Sequence, residues 1–293
     1  MKRAFAAVIL LILSACSQSS EPVPANQTPA KISLTAIPAG RSRPVANLSN
    51  ITPVALGDLD QIVQRSYLRV LVSRSRTNFQ VTDGIARGRT VDIGDALEGF
   101  ISDRARKPVR IVFIDTREDK LVDDLLAGKG DIAANLLLTF ERDDKVAFAR
   151  PWQSGIREIV VTGPHEPHVI SLEDVGGRSL HVRKSSDHYS SLVRLNGQLK
   201  SIARPPAKIV LASPDQTDED LLDLVKDGKI PATVVDDYVY DACCSQSPGL
   251  NSNRDVAVSQ DGSLSWVTRK DAPQLLAILN EFFTTHAWEP GRP

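Results

Sequence analysis

The sequence predicts an α/β protein built from two similar half-domains. Short β-branched runs alternate with amphipathic helical segments in the order βαβαβ, and this order occurs twice along the chain. The third strand of each half-domain leads into a charged residue, Arg142 in the first and Asp236 in the second. Because open α/β sheets bind ligands at the carboxyl ends of their strands, these two residues mark a candidate binding site.

The first half-domain begins with a β-branched strand at residues 68–72, and a polar loop at residues 73–89 follows it. Pro108 lies just beyond the helix predicted at residues 91–106. Gly128 ends the helix predicted at 118–127, because glycine easily adopts the left-handed conformation common at helix ends. Residues 57–63 predict a short introductory helix. The other elements are helix 91–106, strand 109–114, helix 118–127, strand 131–138 and an exit strand at 156–162.

The second half-domain starts with helix-capping patterns at residues 171–174 and 185–187. Its strand at 264–268 carries the chain back to the first half-domain. The predicted elements are strand 178–182, helix 185–199, strand 207–212, helix 218–226, strand 232–235, helix 238–244, strands 255–258 and 264–268, and a terminal helix at 272–286.

The composition is typical of a globular protein. The chain has 293 residues, a net charge of −1, 42% hydrophobic residues and 24% charged residues, which is enough to form a core in one or two domains. The near-zero charge argues against binding to nucleic acid. No spaced set of Cys and His predicts a zinc site, and we expect neither a metal nor a cofactor. Cys243 and Cys244 are adjacent, and a disulfide between them would need a strained ring, so we expect two small buried residues or a reactive pair.

The N-terminus predicts export. Lys2 and Arg3 precede an apolar run at residues 4–13, which is too short to span a membrane and is typical of a signal peptide at residues 1–15. Residues 13–16 resemble a lipoprotein signal, which implies that Cys16 becomes N-terminal and carries acyl chains such as palmitate. An ordinary signal peptide with an incidental Cys is the alternative. Ser17 favours the outer membrane by resemblance to bacterial sorting rules, and residues 16–65 predict a flexible tether.

The chain contains the motifs GKGD at 128–131, TFER at 139–142, FARPW at 148–152, SLEDVGG at 171–177 and DGK at 227–229. This ordered series resembles the family 3 bacterial solute-binding proteins. The resemblance covers about residues 68 to 286 and implies a periplasmic binding protein type II fold, with two lobes, each a mainly parallel sheet flanked by helices, and two crossing hinge strands near Thr162 and Leu264. Lobe 1 would comprise residues 66–162 and 264–293, and lobe 2 residues 163–263.

Within this family, the C-terminal part is most similar to the non-catalytic N-terminal domain of membrane-bound lytic transglycosylase F. The similarity rests on residues 264–267 and 275–283. In those enzymes a catalytic domain follows. Because this chain ends at Pro293, we expect no such domain here and no enzyme activity.

The resemblance implies roles for two charged residues. Arg142 matches the arginine that grips a ligand carboxylate; the alternative is a surface salt bridge with Glu141, Asp143 or Asp144. Asp236 matches the acid that accepts a ligand ammonium group. Its neighbour Asp237 competes for that role, and either acid could instead cap the next helix.

Further candidates lie in two loops. Lys184, Ser185 and Ser186 form a strand-to-helix turn that can hold an anion, although an ordinary N-cap explains them equally well. Ser73 and Phe79 lie in the loop after the first strand, and core packing is the alternative for Phe79. Leu137 and Asn135 depart from amino-acid binders, which often have a hydroxyl residue and a Gly at these positions.

The combined expectation is a lipid-anchored solute-binding protein on the periplasmic side of the envelope. It would act as a monomer and close over a small zwitterionic or anionic ligand, such as an amino acid, peptide or muropeptide. Closure would serve uptake through an ABC permease or envelope sensing. The alternative is a regulatory or scaffold partner of peptidoglycan-remodelling enzymes, derived from a lytic transglycosylase F-like protein.

Overall fold

The computed structural model describes residues 34–45, 49 and 51–288, without the side chains of residues 140 and 141. The predicted signal peptide, the lipidation residue Cys16 and the first part of the predicted tether lie outside these residues. Across the described ranges, no helix is long and apolar enough to cross a membrane.

The secondary structure follows the predicted alternation of strands and helices. The strands are β1 Thr35–Ile37, β2 Ser42–Pro44, β3 Tyr67–Val72, β4 Gln80–Thr82, β5 Ile85–Arg87, β6 Arg110–Asp115, β7 Ile132–Leu137, β8 Val146–Phe148, β9 Gln153–Thr162, β10 Ser179–Val182, β11 Lys208–Leu211, β12 Ala232–Asp236, β13 Asn251–Arg269 and β14 His286–Trp288. The helices are α1 Leu59–Arg65, α2 Arg89–Ala105, α3 Leu121–Leu126, α4 Phe140–Asp143, α5 Asp187–Ser201, α6 Asp218–Lys226, α7 Asp237–Cys243 and α8 Pro273–Thr285, with 3-10 turns at Glu118–Lys120 and Leu172–Val175.

A nine-stranded mixed sheet runs through both half-domains in the order β11-β10-β12-β9-β13-β7-β3-β6, and β8 pairs with β13 beside this path. The strands β3, β6 and β7 are parallel to one another, as are β10, β11 and β12. The long strands β9 and β13 are antiparallel and join the two sets. Each parallel set lies along a different part of the joining strands. The carboxyl ends of the two sets therefore point toward each other near the middle of the sheet.

Each set of parallel strands has its own apolar core. In lobe 1, the buried Trp266 and Phe282 pack between the sheet and the helices α2 and α8. In lobe 2, Leu192 and Leu195 of α5 pack on one sheet face, and Leu222 of α6 packs on the other. The predicted lobe boundaries at residues 162/163 and 263/264 stay predictions.

The predicted strands and helices are largely confirmed, and the differences have local causes. The helix predicted at 218–226 has these bounds because Thr217 and Asp220 form a reciprocal capping box at its start. The loop predicted at 73–89 contains the short hairpin β4–β5. The two strands predicted at 255–258 and 264–268 are parts of one irregular strand, β13, whose pairing with β9 shifts register several times.

Part of the segment predicted as a flexible tether is folded. Ile37 is buried in the lobe 1 core, and Arg43 donates hydrogen bonds to Asp95 (2.9 Å) and Glu98 (3.1 Å) of α2. Asp58 caps α1 and also accepts the backbone N–H groups of Gln274 and Leu275 at the start of α8. The tether prediction is wrong for residues 34–45 and 51–65. It rested on their polar composition, which does not show that Arg43 and Asp58 form hydrogen bonds with distant elements.

A buried ion pair fixes the base of lobe 1. Arg69 is fully buried, and its Nη2 donates to Asp131 (2.9 Å) and to the carbonyl oxygen of Ala55 (2.7 Å). Its Nη1 donates to the carbonyl oxygen of Thr52 (3.0 Å). Asp131 also accepts the Arg69 backbone N–H (2.9 Å) and contacts Arg65. Burial acts to raise the pKa of Asp131, but these partners outweigh it and hold the pKa below its usual range.

Cys243 and Cys244 lie at the end of α7. The structure joins them by a disulfide, with their Cα atoms 3.8 Å apart. This bond was not expected from the sequence, which predicted two small buried residues or a reactive pair.

Candidate functional site

The candidate site lies where the carboxyl ends of the two parallel strand sets meet. Ser73 follows β3, and Arg142 lies in α4 just after β7. From lobe 2, Ser186 follows β10 and Asp236 ends β12. The strand order thus brings together residues that are up to 163 positions apart, as expected for the ligand edge of an open α/β sheet.

Two neighbouring cavities occupy this edge. The inner cavity, of about 110 Å³, lies between the lobes and has Ser73, Asn135 and Arg183 in its wall. The hinge cavity, of about 640 Å³, is bounded by the joining strands and has Glu158, Lys184 and Gln260 in its wall. The residues lining both cavities are Leu137, Arg142, Ser186, Asp187 and Asp236.

Arg142 forms an ion pair that crosses from lobe 1 to lobe 2. Its Nη1 donates to Asp187 Oδ2 (2.8 Å) and to the carbonyl oxygen of Leu137 (3.0 Å). The side chains of Arg142 and Asp187 are 23% and 22% exposed. Arg142 therefore grips a carboxylate of the protein itself, and its predicted contact with a ligand carboxylate stays a prediction.

Asp236 is paired inside the cleft as well. Its Oδ1 lies 3.2 Å from Nε2 of His188, and both residues are buried. Burial acts to lower the pKa of His188, but Asp218 and Asp236 outweigh it and raise the pKa to about 10. His188 is thus an imidazolium at neutral pH and is the cation beside Asp236, whose predicted contact with a ligand ammonium group stays a prediction.

The two acids Asp236 and Asp237 differ in direction. Asp236 occupies the N-cap position of α7, but its side chain makes no capping hydrogen bond. The carboxylate of Asp237 accepts hydrogen bonds from the backbone N and the Nε of Arg157, both at 3.3 Å. Asp236 therefore faces the cleft, whereas Asp237 is held by a neighbouring strand.

Arg183 forms a deeper bridge between the lobes. Its Nη2 donates to Glu118 Oε2 of lobe 1 (2.8 Å), and its Nη1 lies 2.7 Å from Asp218 Oδ1 of lobe 2. The Arg183 side chain is 6% exposed. Burial acts to lower the pKa of Arg183, but Asp218 and Glu118 raise it above its usual range, so the bridge stays charged.

Glu158 is a buried acid that sequence reasoning missed. It lies on β9 directly opposite Asp236 of β12, and residues opposite each other in an antiparallel pair share a sheet face. Its Oε2 has no hydrogen-bond partner in the described part of the chain. Burial raises the pKa of the Glu158 carboxyl; Asp236 and Asp187 raise it further, while His188 and a hydrogen bond with Ser191 oppose the shift.

The turn before α5 contributes the other predicted lobe 2 residues. Lys184 and Ser185 line the hinge cavity, and Ser186 lines both cavities. Ser186 occupies the N-cap position, but its hydroxyl donates to the carbonyl oxygen of Arg183 (2.9 Å) instead of accepting from the helix. The side chain of Ser186 therefore does not cap the helix.

Ser73 and Phe79 have different surroundings. Ser73 lies in the wall of the inner cavity. Phe79 is 3% exposed and packs in the lobe 1 core, with its ring 5.4 Å from that of Phe113. Phe79 is absent from the walls of both cavities, so the core-packing alternative describes its contacts.

Asn135 and Leu137 are the two positions at which the sequence departs from amino-acid binders. Asn135 adopts a left-handed conformation (φ 59°) at an irregularity in the pairing of β7 with β13. Asn is one of the few residues besides Gly that adopt this conformation easily. Leu137 places an apolar side chain in the wall of both cavities, while its carbonyl oxygen binds Arg142.

Ionic groups dominate the chemistry of the site. Across the residues that the structure describes, no group of three or more His, Cys, Asp or Glu side chains could hold a metal ion. Arg142 and the turn at Lys184–Ser186 can bind an anionic group, whereas Glu158, Asp187 and Asp236 can bind a cationic group. The arrangement suits a ligand that carries both charges.

Sequence comparisons agree with this architecture. The family model of the bacterial extracellular solute-binding proteins, family 3, matches residues 68–287. Membrane-bound lytic murein transglycosylase F of Saccharophagus degradans is 29% identical over 158 residues, covering 52% of this chain and 29% of that protein. The protein of the same name from Erwinia tasmaniensis is 26% identical over 234 residues, covering 78% of this chain and 44% of that protein. The chain thus spans less than half the length of these curated relatives.

Solved structures show the same fold. A truncated arginine-bound ArgBP from T. maritima has a TM-score of 0.62 and 22% identity, covering 77% of this chain and 98% of that one. The ancestral amino acid-binding protein AncCDT-1 has a TM-score of 0.63 and 22% identity, covering 77% and 91%. These matches confirm the type II periplasmic binding protein fold. The family model confirms the family resemblance that the sequence motifs indicated.

Proposed function

Because the chain belongs to the bacterial extracellular solute-binding proteins of family 3, we propose that it binds a small zwitterionic solute in the cleft between its lobes. The ligand carboxylate would bind Arg142 and the turn at Lys184–Ser186, and its ammonium group would bind Asp236 and Asp187. Amino acids, short peptides and muropeptides are the candidate ligands. The proposed role is binding and not catalysis.

The Arg142–Asp187 ion pair is the observation that carries this proposal. It joins a cation of lobe 1 to a carboxylate of lobe 2 across the cleft, at 2.8 Å. A zwitterion presents the complementary pair of charges, so its carboxylate can replace Asp187 at Arg142 and its ammonium group can then pair with Asp187. Each ion pair that breaks is replaced by another across the same cleft.

The exchange requires little free energy. Both side chains of the Arg142–Asp187 pair are about a fifth exposed, and pairs in contact with water contribute only about 0.2–1 kcal/mol. Arg183 is far more buried and bridges Glu118 and Asp218. Arg183 therefore maintains the contact between the lobes, while Arg142 is available for a ligand.

The cellular role follows from closure of two lobes about β9 and β13. We propose that the protein acts on the periplasmic side of the envelope, held by lipid at Cys16, as a monomer. In this role closure either delivers the solute to an ABC permease or signals to an envelope partner.

A thermal-shift screen tests the proposal, because a ligand that binds only the folded state raises the melting temperature with concentration. The screen would use amino acids, short peptides and muropeptides with the wild type, Arg142→Ala and the exposed control Arg204→Ala. We expect a saturable shift that Arg204→Ala keeps and Arg142→Ala loses. No shift with any solute, or an equal shift in Arg142→Ala, would refute solute binding at this site.

A second candidate function is a regulatory or scaffold partner of peptidoglycan-remodelling enzymes. One observation favours it: Arg142 and Asp236 are already paired, with Asp187 and His188. A cleft that satisfies its own charges needs no solute to stay closed. Crosslinking from membranes distinguishes the two, because recovery of a permease supports transport, whereas recovery of peptidoglycan enzymes, together with a negative solute screen, supports the partner role.

A further inference from the structure

Glu158 is a buried acid in the wall of the hinge cavity, and the Arg142–Asp187 ion pair gives it no role. It is 5% exposed, lies in the cavity wall and leaves Oε2 without a hydrogen-bond partner among the described residues. A buried carboxylate oxygen without a partner is costly, because the group has lost water and gained nothing in return. Such a group marks a place where a ligand can supply the missing partner.

The charges around Glu158 are unbalanced. Asp236 lies directly opposite on β12, and Asp187 lies at the start of α5. The adjacent cation is His188, which is already paired with Asp236. Lys184 and Arg194 also line the cavity; Lys184 belongs to the turn assigned to the ligand carboxylate, and Arg194 donates to the hydroxyl of Ser191. Like charges opposite each other destabilise a sheet, so this arrangement favours a further cation.

The exchange proposed at Arg142 increases this imbalance. When a ligand carboxylate takes the place of Asp187 at Arg142, Glu158, Asp187 and Asp236 share His188 as their cation. Asp218 also lies near His188 but keeps its partner Arg183. The α-ammonium group of the ligand balances one more of them. One carboxylate is then still without a counter-charge, and Glu158 is the most buried of the three.

We propose that Glu158 forms a second cation subsite, which selects a zwitterion carrying an additional ammonium or guanidinium group, as in a basic amino acid. This inference rests on the proposed function and names its ligand class. The hinge cavity, at about 640 Å³, lies within the range of about 300–1,000 Å³ typical of small-molecule sites. The hydroxyl groups of Ser190 and Ser191 also line it and can bind the remaining N–H groups of such a cation.

Calorimetry with matched probes tests this subsite. The probes are L-lysine and L-arginine, norleucine as the neutral counterpart of lysine, and L-glutamate. We expect the wild type to bind a basic probe about 10- to 100-fold more tightly than norleucine, the range for a hydrogen bond to a buried charge. In Glu158→Gln the preference should fall to within about threefold. Asp255→Asn, which removes an exposed acid of β13 outside both cavities, should keep it.

Proton release provides a readout that a merely structural role would not change. A cation beside Glu158 favours its ionised form, so binding at mildly acidic pH should release protons, detected by calorimetry in buffers of different ionisation enthalpy. Glu158→Gln should release fewer protons. Its folding is checked by its melting temperature, which should not fall.

The outcomes separate this inference from the proposed function. Equal or tighter binding of norleucine or glutamate, lost in Arg142→Ala, overturns the basic-ligand inference and keeps the solute-binding function. An unchanged preference in Glu158→Gln overturns the subsite. Failure of both lysine and arginine to bind also overturns the inference, and failure of the whole amino acid, peptide and muropeptide screen overturns the proposed function with it.

Discussion

Asp131 at the base of lobe 1 and Glu158 in the cleft are both buried acids, but their surroundings are opposite. Asp131 accepts three hydrogen bonds from Arg69 and contacts Arg65, which together keep its pKa low. Glu158 faces another carboxylate, has an oxygen without a hydrogen-bond partner among the described residues, and has a raised pKa because of its burial.

The difference separates a structural charge from a binding charge. A fully paired buried acid stabilises one arrangement of the chain, so Asp131 ties β7 to β3 and to the segment at Thr52 and Ala55 through Arg69. An underpaired acid costs stability, and sites with strongly perturbed ionisation concentrate where ligands bind. Removing each charge should therefore change stability in opposite directions.

The largest expected effect follows from Asp131→Asn. Removing this charge leaves Arg69 buried without its counter-ion, and breaking a buried pair costs about 3–5 kcal/mol. Urea unfolding measures the loss, with Asp227→Asn as control, because Asp227 pairs with Lys229 on the exposed surface and should have no measurable effect. Equal stability of the two variants would contradict a structural role for Asp131.

The pH dependence of Asp131 has a defined sign. Its pKa in the folded state lies below the ordinary value of 3.8, so the stabilisation is fully present above that value. It is lost as the pH falls from there through the folded-state pKa. The difference between the wild type and Asp131→Asn should shrink only in that acidic range.

Glu158→Gln should stabilise the ligand-free protein at neutral pH, by about 1 kcal/mol, the order of the cost of an unpaired buried group. The pKa of Glu158 is raised in the folded state, so wild-type stability falls as the pH rises from the ordinary value of 4.5 through the raised pKa. The advantage of the variant should therefore vanish in acid. Unfolding curves across this range check it, and a variant less stable than the wild type at neutral pH would contradict the cost assigned to Glu158.

The sequence predicted what depends on neighbours in the chain and missed what depends on distant contacts. The bounds of α6 follow from its own capping residues, and Arg142 and Asp236 were found because each follows a strand. The folding of residues 34–45 depends on Arg43 reaching acids 52 and 55 positions away, which composition does not reveal.

The two site residues that the sequence did not predict, Glu158 and His188, also depend on distant contacts. Glu158 and His188 became site residues only when strand order placed Asp236 beside both. One signal was present in the sequence, an acid inside the run at residues 156–162, which is rich in β-branched residues. An acid at a position that should face a core predicts either a buried pair or a ligand contact, and only the tertiary structure distinguishes them.

The smallest expected change in stability belongs to the Arg142–Asp187 pair. Because both side chains remain in contact with water, a double-mutant cycle with Arg142→Ala and Asp187→Ala should give a coupling energy of about 0.2–1 kcal/mol. Urea unfolding of the wild type, both single variants and the double variant measures it. A coupling energy above about 2 kcal/mol would mean that the pair is a lock and not an exchangeable contact. A small value, together with loss of the ligand-induced shift in Arg142→Ala, would place Arg142 with Glu158 among the groups kept for a ligand and apart from Asp131.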